Sequence, residues 1–155
     1  METAFLLAGD DTMTVRDLFG APAGRSRLAV LAGCETGVAG RGLPDEALGL
    51  PTALLAAGVP GVIASAWAIP DHRVTAVLLA RFYQLWQADG QPPAEALRQA
   101  QRWVRDSTNG EKTTDYPWYG DAYRGRAGGA AHRMWLTART HRHPYWWAGF
   151  TYTGA

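Results

Sequence analysis

Two short apolar runs in the first half of the chain, residues 28–33 and 62–67, are each followed by a turn-prone segment. Runs of this length bounded by glycine are typical of β-strands that are buried on both faces. Between them, residues 47–57 form an apolar helical pattern, and Pro51 indicates that this helix begins near Leu50, because proline is tolerated in the first turn. Such a strand–helix–strand unit predicts two parallel strands joined by a right-handed crossover.

The remaining pattern predicts further strands towards both ends of the chain, with helices between them. Residues 4–8 and 145–153 are rich in strand-forming residues, and Thr14 with Asp17 has the spacing of a helix N-cap. Residues 73–87 and 92–106 each carry an apolar stripe at helical spacing. Residues 109–141 mix aromatic residues with arginine, and we interpret them as an insertion. The pattern therefore predicts one mainly parallel α/β domain over residues 1–155.

Length and composition narrow the class of protein. A chain of 155 residues with 47% hydrophobic residues fits one domain with a packed core. No apolar stretch is long enough to span a membrane, and no signal-peptide pattern is visible. The single cysteine has no partner for an intramolecular disulfide. We therefore expect a cytoplasmic protein that does not contact a membrane.

Charge is unevenly distributed along the chain. Residues 1–71 carry eight acidic and four basic residues, whereas residues 72–155 carry six acidic and eleven basic ones. Five arginines between residues 124 and 142 are interleaved with aromatic residues, a composition that could bind nucleic acid through phosphate contacts and stacking. The formal net charge is only +1 and no nucleic-acid-binding motif is present, so we keep nucleic-acid binding only as an alternative.

Cys34 is the first candidate for chemistry, because it follows directly on the first buried strand. Ligands in open α/β sheets bind beyond the carboxyl ends of such strands, and a thiol at this point is a candidate nucleophile. The alternative is a buried cysteine that acts as a small hydrophobic residue. Metal binding is not expected, since one cysteine and four scattered histidines lack the spacing of metal ligands.

Four stretches, in order along the chain, resemble the CHAT domain, a caspase-like module related to caspases, gingipains and separases. Residues 31–37, with the sequence LAGCETG, resemble its cysteine signature. Residues 43–50, 65–71 and 143–150 resemble the helix after the cysteine, the strand end with its pocket loop, and the closing strand. The resemblance implies a caspase-like αβα sandwich with a mainly parallel sheet, and a cysteine endopeptidase with Cys34 as its nucleophile.

The same resemblance implies a protein or peptide substrate and no cofactor. CHAT domains are often joined to tetratricopeptide repeats, so a tetratricopeptide-repeat region or partner is also expected. Trp67 would belong to the core or form a wall of the substrate pocket. Asp71 would lie where the specificity pocket is built and could bind a basic substrate side chain; the alternative is that it caps the helix that follows. Gly33 would let the substrate backbone approach closely. Glu35 would support the loop after Cys34; the alternative is that it is a solvated acidic residue.

The general base of the family is a histidine in a His-Gly pair on the strand before the cysteine strand. Its place here would be before Phe5, and residues 1–4 contain no histidine. We therefore expect this chain to be the C-terminal part of the module and a poor protease alone, because removing the base from a catalytic unit costs orders of magnitude in rate. The alternative is a non-catalytic scaffold for protein–protein interaction.

Overall fold

The computed structural model describes residues 4–6, 12–14, 17, 26–32, 49–124 and 129–155, without the side chains of residues 4–6, 12, 13, 122 and 124. These residues fall into two compact units: a strand unit, residues 1–69 with 150–155, and a helical unit, residues 70–149. The described strands are β1 Ala4–Leu6, β2 Thr12–Thr14, β3 Ala29–Leu31, β4 Gly61–Ser65 and β5 Phe150–Gly154. The described helices are α1 Leu50–Ala56, α2 Arg73–Tyr83, α3 Pro93–Asp106, α4 Asn109–Asp115, α5 Pro117–Arg124 and α6 Ala130–Thr137.

The strand unit contains a three-stranded sheet in the order β3-β4-β5. β3 pairs with β4 in parallel, with Val30 opposite Ile63, which confirms the predicted strand–helix–strand unit. β5 pairs with β4 in the antiparallel direction, with Tyr152 opposite Ile63. The sheet is therefore mixed, and among the described strands the expected parallel pairing holds for β3 and β4 alone.

Helix α1 joins the two parallel strands and buries its apolar side. It begins at Leu50 with proline in its first turn, as Pro51 predicts, and its Leu50 and Ala53 are buried against Leu31 of β3. Every residue of β4 is buried, and Ile63 has no exposed surface. A strand buried along its whole length is typical of the centre of an α/β sheet.

The first part of the chain differs from its prediction. Residues Thr12–Thr14 form β2, which pairs with β1 in the antiparallel direction, where we had expected a turn leading to a helix. Thr14 nevertheless behaves as a capping residue. Its Oγ1 accepts a hydrogen bond from the Asp17 backbone N–H at 3.2 Å, and the Asp17 carboxylate accepts one from the Thr14 backbone N–H at 2.9 Å. The capping pair is thus confirmed, but it follows a strand.

The helical unit is built on α2 and α3, which pack against each other. The predicted stripe of α2 is buried as expected: Val74, Val77, Leu78 and Phe82. The regular helix ends at Tyr83, four residues earlier than predicted, and continues as a π-helical turn over Gln84–Ala88. Gly90 then adopts a φ of +69°, a backbone conformation that glycine adopts without steric cost.

The closing strand begins later than its composition predicts. Pro144–Trp146 forms a 3₁₀ turn that His143 caps, since its Nδ1 accepts a hydrogen bond from the Tyr145 N–H. Pro144 has a φ that suits the start of a helical turn, and its carbonyl accepts the N–H groups of Trp147 and Ala148. Aromatic residues favour strands in general, but these local hydrogen bonds delay β5 until Phe150.

Candidate functional site

The carboxyl ends of β3 and β4 lie side by side at one edge of the sheet. Leu31, the last residue of β3, pairs with Ala64, and β4 extends one residue further, to the fully buried Ser65. Ala32 and Ala66, which follow the two strands, are exposed. Ligands bind beyond the carboxyl ends of parallel strands in α/β sheets, so we take this edge as the candidate site.

The predicted nucleophile, Cys34, lies three residues after the end of β3 in sequence. Cys34 lies two residues after Ala32, and Cys34, Gly33 and Glu35 are all outside the described residues. The catalytic role of Cys34, the backbone role of Gly33 and the supporting role of Glu35 therefore stay predictions.

Trp67 lies two residues beyond the end of β4 and is partly buried. Its indole Nε1 is shielded from solvent and has no hydrogen-bond partner among the described residues. A buried N–H without a partner costs free energy, and an indole N–H is a donor only. Trp67 therefore offers one unused hydrogen-bond donor in the segment that follows β4.

Asp71 is exposed and does not cap α2. His72 occupies the cap position, and its Nδ1 accepts a hydrogen bond from the Val74 backbone N–H at 3.2 Å. The interpretation of Asp71 as a helix cap is therefore wrong. An imidazole with an unprotonated Nδ1 can accept a hydrogen bond from the helix as a carboxylate does, and the helix begins at Arg73, as predicted.

The four histidines all belong to the helical unit. His72 and His143 each use Nδ1 to accept a backbone N–H within two residues. His132 is partly buried and stacks on Trp135, with ring centroids 6.0 Å apart. His141 is buried, with 4% of its surface exposed. His72, His141 and Trp146 lie together, with ring centroids 5.1–5.3 Å apart.

A polar cluster that the sequence did not predict, buried except for the exposed Thr140, lies in the segment that we interpreted as an insertion. We call it the Asn109 cluster: Asn109, Lys112, Tyr119, Thr140 and His141. Asn109 Oδ1 accepts hydrogen bonds from the hydroxyl groups of Tyr119 and Thr140, both at 2.9 Å. Asn109 Nδ2 donates to the Trp135 carbonyl at 2.9 Å. One amide side chain therefore links α4 with α5, with the end of α6 and with residue 140.

Lys112, the only lysine of the chain, has no exposed surface. Its Nζ donates to the Ser107 carbonyl at 2.6 Å and lies 5.8 Å from the centre of the Trp103 ring. Burial lowers the pKa of Lys112 to about 8, and Arg139 lowers it as well, against the opposing effect of Glu111. The ammonium group of Lys112 thus satisfies the hydrogen-bonding capacity of the Ser107 carbonyl. Burial makes the charged form of this lysine less stable than it would be in water.

Two sequence features could have revealed part of this cluster. Thr108 and Glu111 have the spacing of a capping box, and both of its hydrogen bonds form, so that the start of α4 was predictable. A single lysine in a chain rich in arginine is a second signal. Contacts between Asn109 and Tyr119, ten residues apart, depend on the turn between two short helices and could not be predicted from local pattern.

Among the residues that the structure describes, no group of three or more histidine, cysteine or acidic side chains is placed to hold a metal ion. None of the helices in the same residues is both long and apolar enough to cross a bilayer.

The described residues define a mixed α/β domain with a parallel strand–helix–strand unit and a candidate site at its carboxyl edge. The family model of the CHAT domain matches residues 1–155, which is the whole chain. The chain therefore belongs to the CHAT domain family, a family of caspase-like peptidases. No curated protein and no solved structure matches the chain at a significant level.

The buried Lys112 predicts an unusual dependence of stability on pH. Its folded-state pKa of about 8 lies below the ordinary 10.5, so the unfolded chain binds more protons between these values. The free energy of unfolding should rise with pH from about 8 towards 10, by up to roughly 3 kcal/mol. Urea unfolding from pH 7 to 10 measures this rise, which Lys112→Met should abolish and Arg102→Met, at an exposed arginine of α3, should preserve. Parallel curves for wild type and Lys112→Met would contradict the assignment.

Proposed function

We propose that the chain is the C-terminal portion of a CHAT-type cysteine endopeptidase in which Cys34 attacks the scissile carbonyl of a protein substrate. The observation that carries the proposal is the parallel pairing of β3 with β4, since Cys34 follows the end of β3 in a chain that belongs to the CHAT family. The carboxyl edge of a parallel sheet is where reacting groups gather in α/β folds. We also propose that the fold is a caspase-like αβα sandwich, and that the described sheet β3-β4-β5 is one part of it.

Nucleophilic attack requires a thiolate, and a cysteine thiol of ordinary pKa is only a few per cent ionised at pH 7. A histidine near Cys34 would remove the thiol proton and later donate it to the leaving amine. The backbone N–H of Cys34 would donate to the oxyanion of the tetrahedral intermediate, beside Gly33 and Glu35 in the same loop.

Three of the four histidines are poor candidates for this base. His72 and His143 already accept backbone hydrogen bonds through Nδ1, and burial lowers the pKa of His141 to about 4. Such an imidazole is a weak base at pH 7. We therefore propose that the base is the histidine that the family carries in its His-Gly pair, on the strand before that of Cys34.

Trp67 and Asp71 are proposed to bind substrate. The buried Nε1 of Trp67 has no partner among the described residues, so a substrate carbonyl could satisfy it. Asp71 is exposed and is not used as a helix cap, which leaves its carboxylate available for an arginine or lysine side chain of the substrate. A protein or peptide substrate is the partner that these groups fit, and a tetratricopeptide-repeat region is proposed to present it.

A scaffold without catalytic activity is the second candidate function. The observation that favours it is that three of the four histidines are committed to local or buried contacts in the helical unit. The cysteine would then be a small buried hydrophobic residue. Peptide cleavage distinguishes the two functions directly.

The test compares the protein of residues 1–155 with the same protein extended by the residues encoded upstream. We expect the extended protein to cleave a peptide library and Cys34→Ala to reduce the rate by at least about 10³-fold, because the nucleophile and the base act as a unit. The chain as given should be slow. Thr114→Ala, at an exposed position of α4, is the matched control and should leave the rate unchanged. Turnover that survives Cys34→Ala would refute the nucleophile, and equal rates for the two lengths would refute the upstream base.

The role of Asp71 predicts a preference for a basic residue before the scissile bond. An exposed carboxylate gives only modest discrimination, so Asp71→Asn should reduce the preference for arginine over glutamine by about tenfold. Protein stability should not change, because His72 caps α2. Asp89→Asn, at another exposed acidic residue of the helical unit, serves as control. Cleavage profiles of Asp71→Asn and wild type that coincide would exclude Asp71 from substrate binding.

A further inference from the structure

We propose that His141 is a proton-operated latch, which holds residues 138–147 against α4 and α5 while its ring is neutral and releases them when the ring takes up a proton. The proposal concerns the helical unit and does not depend on peptidase activity. It follows from the hydrogen-bond donors and acceptors of the Asn109 cluster and from what surrounds the imidazole.

The orientation of the Asn109 side chain is fixed by its neighbours. The Trp135 carbonyl can only accept a hydrogen bond, so the amide nitrogen of Asn109 faces it. The amide oxygen then faces the hydroxyl groups of Tyr119 and Thr140, and each donates its single proton to it at 2.9 Å. Neither hydroxyl has a proton left for a second acceptor.

This donor count determines which nitrogen of His141 carries the proton. Nδ1 of His141 lies 3.0 Å from Thr140 Oγ1 and 3.4 Å from Tyr119 Oη, and both oxygens can now only accept. The contact is favourable when Nδ1 is the donor, so the neutral ring carries its proton on Nδ1. Nε2 is then the atom to which an added proton binds.

The surroundings of His141 oppose that added proton. The charged and titratable groups that face the ring are Lys112 from α4, Tyr119 from α5 and His72 at the start of α2. Burial, Lys112 and His72 all lower the pKa of His141, which falls to about 4, and no carboxylate among the described residues is found to raise it. Burial also raises the pKa of Tyr119, which therefore stays neutral. A positive imidazole at this position has no opposite charge to compensate its desolvation.

The neutral ring in turn helps to hold residues 138–147. The Ala138 carbonyl accepts the Asn109 backbone N–H at 2.9 Å, and Thr140 binds the Asn109 side chain. His141 contacts Trp146 edge to face, with centroids 5.1 Å apart, and His72 lies 5.1 Å from the same indole. The segment is thus attached through groups that converge on His141, and a charged ring would disturb all of them together.

The coupling between protonation of His141 and release of residues 138–147 determines how strongly release depends on pH. In the released segment the imidazole returns to its ordinary pKa of 6.5, so the released state binds more protons between pH 6.5 and pH 4. The ratio of released to held chains should rise roughly 20-fold between pH 7 and pH 5, and towards roughly 300-fold at still lower pH.

Amide hydrogen exchange on the full chain tests this directly, after correction for intrinsic rates. The reporter is the Asn109 N–H, the first amide of α4, whose partner is the Ala138 carbonyl. We expect its protection to fall roughly 20-fold from pH 7 to pH 5 in the wild type. His141→Asn keeps a donor near the position of Nδ1 but cannot titrate, and its protection should change less than twofold. His143→Asn, at an exposed histidine two residues later, is the matched control and should keep the wild-type response.

Two results would overturn the latch. One is that the protection of the Asn109 amide in the wild type is the same at pH 7 and pH 5. The other is that His141→Asn loses protection at pH 5 as much as the wild type does, which would assign the acid response to another group such as His72. Should His141→Asn fail to fold, nitrogen NMR of the wild type still decides. A neutral His141 with its proton on Nε2, or one that titrates near 6.5 without loss of protection, would refute the proposal.

Discussion

The parallel hydrogen bonding between β3 and β4 is the constraint on which the account of the candidate site depends. Its register places Leu31 opposite Ala64, so the residues that follow both strands leave the sheet at the same edge. Helix α1 supports this arrangement, because its Leu50 and Ala53 are buried against Leu31 of β3, and its Leu54 and Leu55 pack against the cluster that contains Val62 and Ala64 of β4.

The helical unit is organised differently, around a polar centre. Asn109 satisfies two hydroxyl groups and two backbone groups, and Lys112 satisfies the carbonyl of Ser107, the residue that follows α3. Short helices such as α4 are marginal alone, so contacts of this kind determine whether they form. Leaving a buried polar group of this type without a hydrogen-bond partner costs free energy, so the Asn109 cluster links its helices in one specific arrangement. For the same reason, protonation of one member can disturb the whole cluster.

The local sequence pattern correctly predicted those helices and strands that are fixed by neighbouring residues or that bury a continuous apolar stripe. Pro51 correctly placed the start of α1, and the stripe from Val74 to Phe82 correctly predicted the buried side of α2. The prediction failed where side-chain hydrogen bonds compete with propensity: His72 rather than Asp71 caps α2, and His143 with Pro144 replaces the start of the last strand by a 3₁₀ turn. The link between Asn109 and Thr140 spans 31 residues and depends on tertiary packing, which no local pattern contains.

Covalent capture of Cys34 tests the central claim most directly, because it reports both the nucleophile and the substrate that surrounds it. The protein extended by its upstream residues would be treated with a peptidyl acyloxymethyl ketone that ends in arginine, and with a matched reagent that ends in glutamate, followed by mass spectrometry. The account predicts stoichiometric modification of Cys34, at least about tenfold faster with the arginine reagent, since Asp71 would bind its guanidinium group. Modification at the slow rate of an ordinary thiol, equal for the two reagents, would contradict the claim that this CHAT domain is a cysteine peptidase.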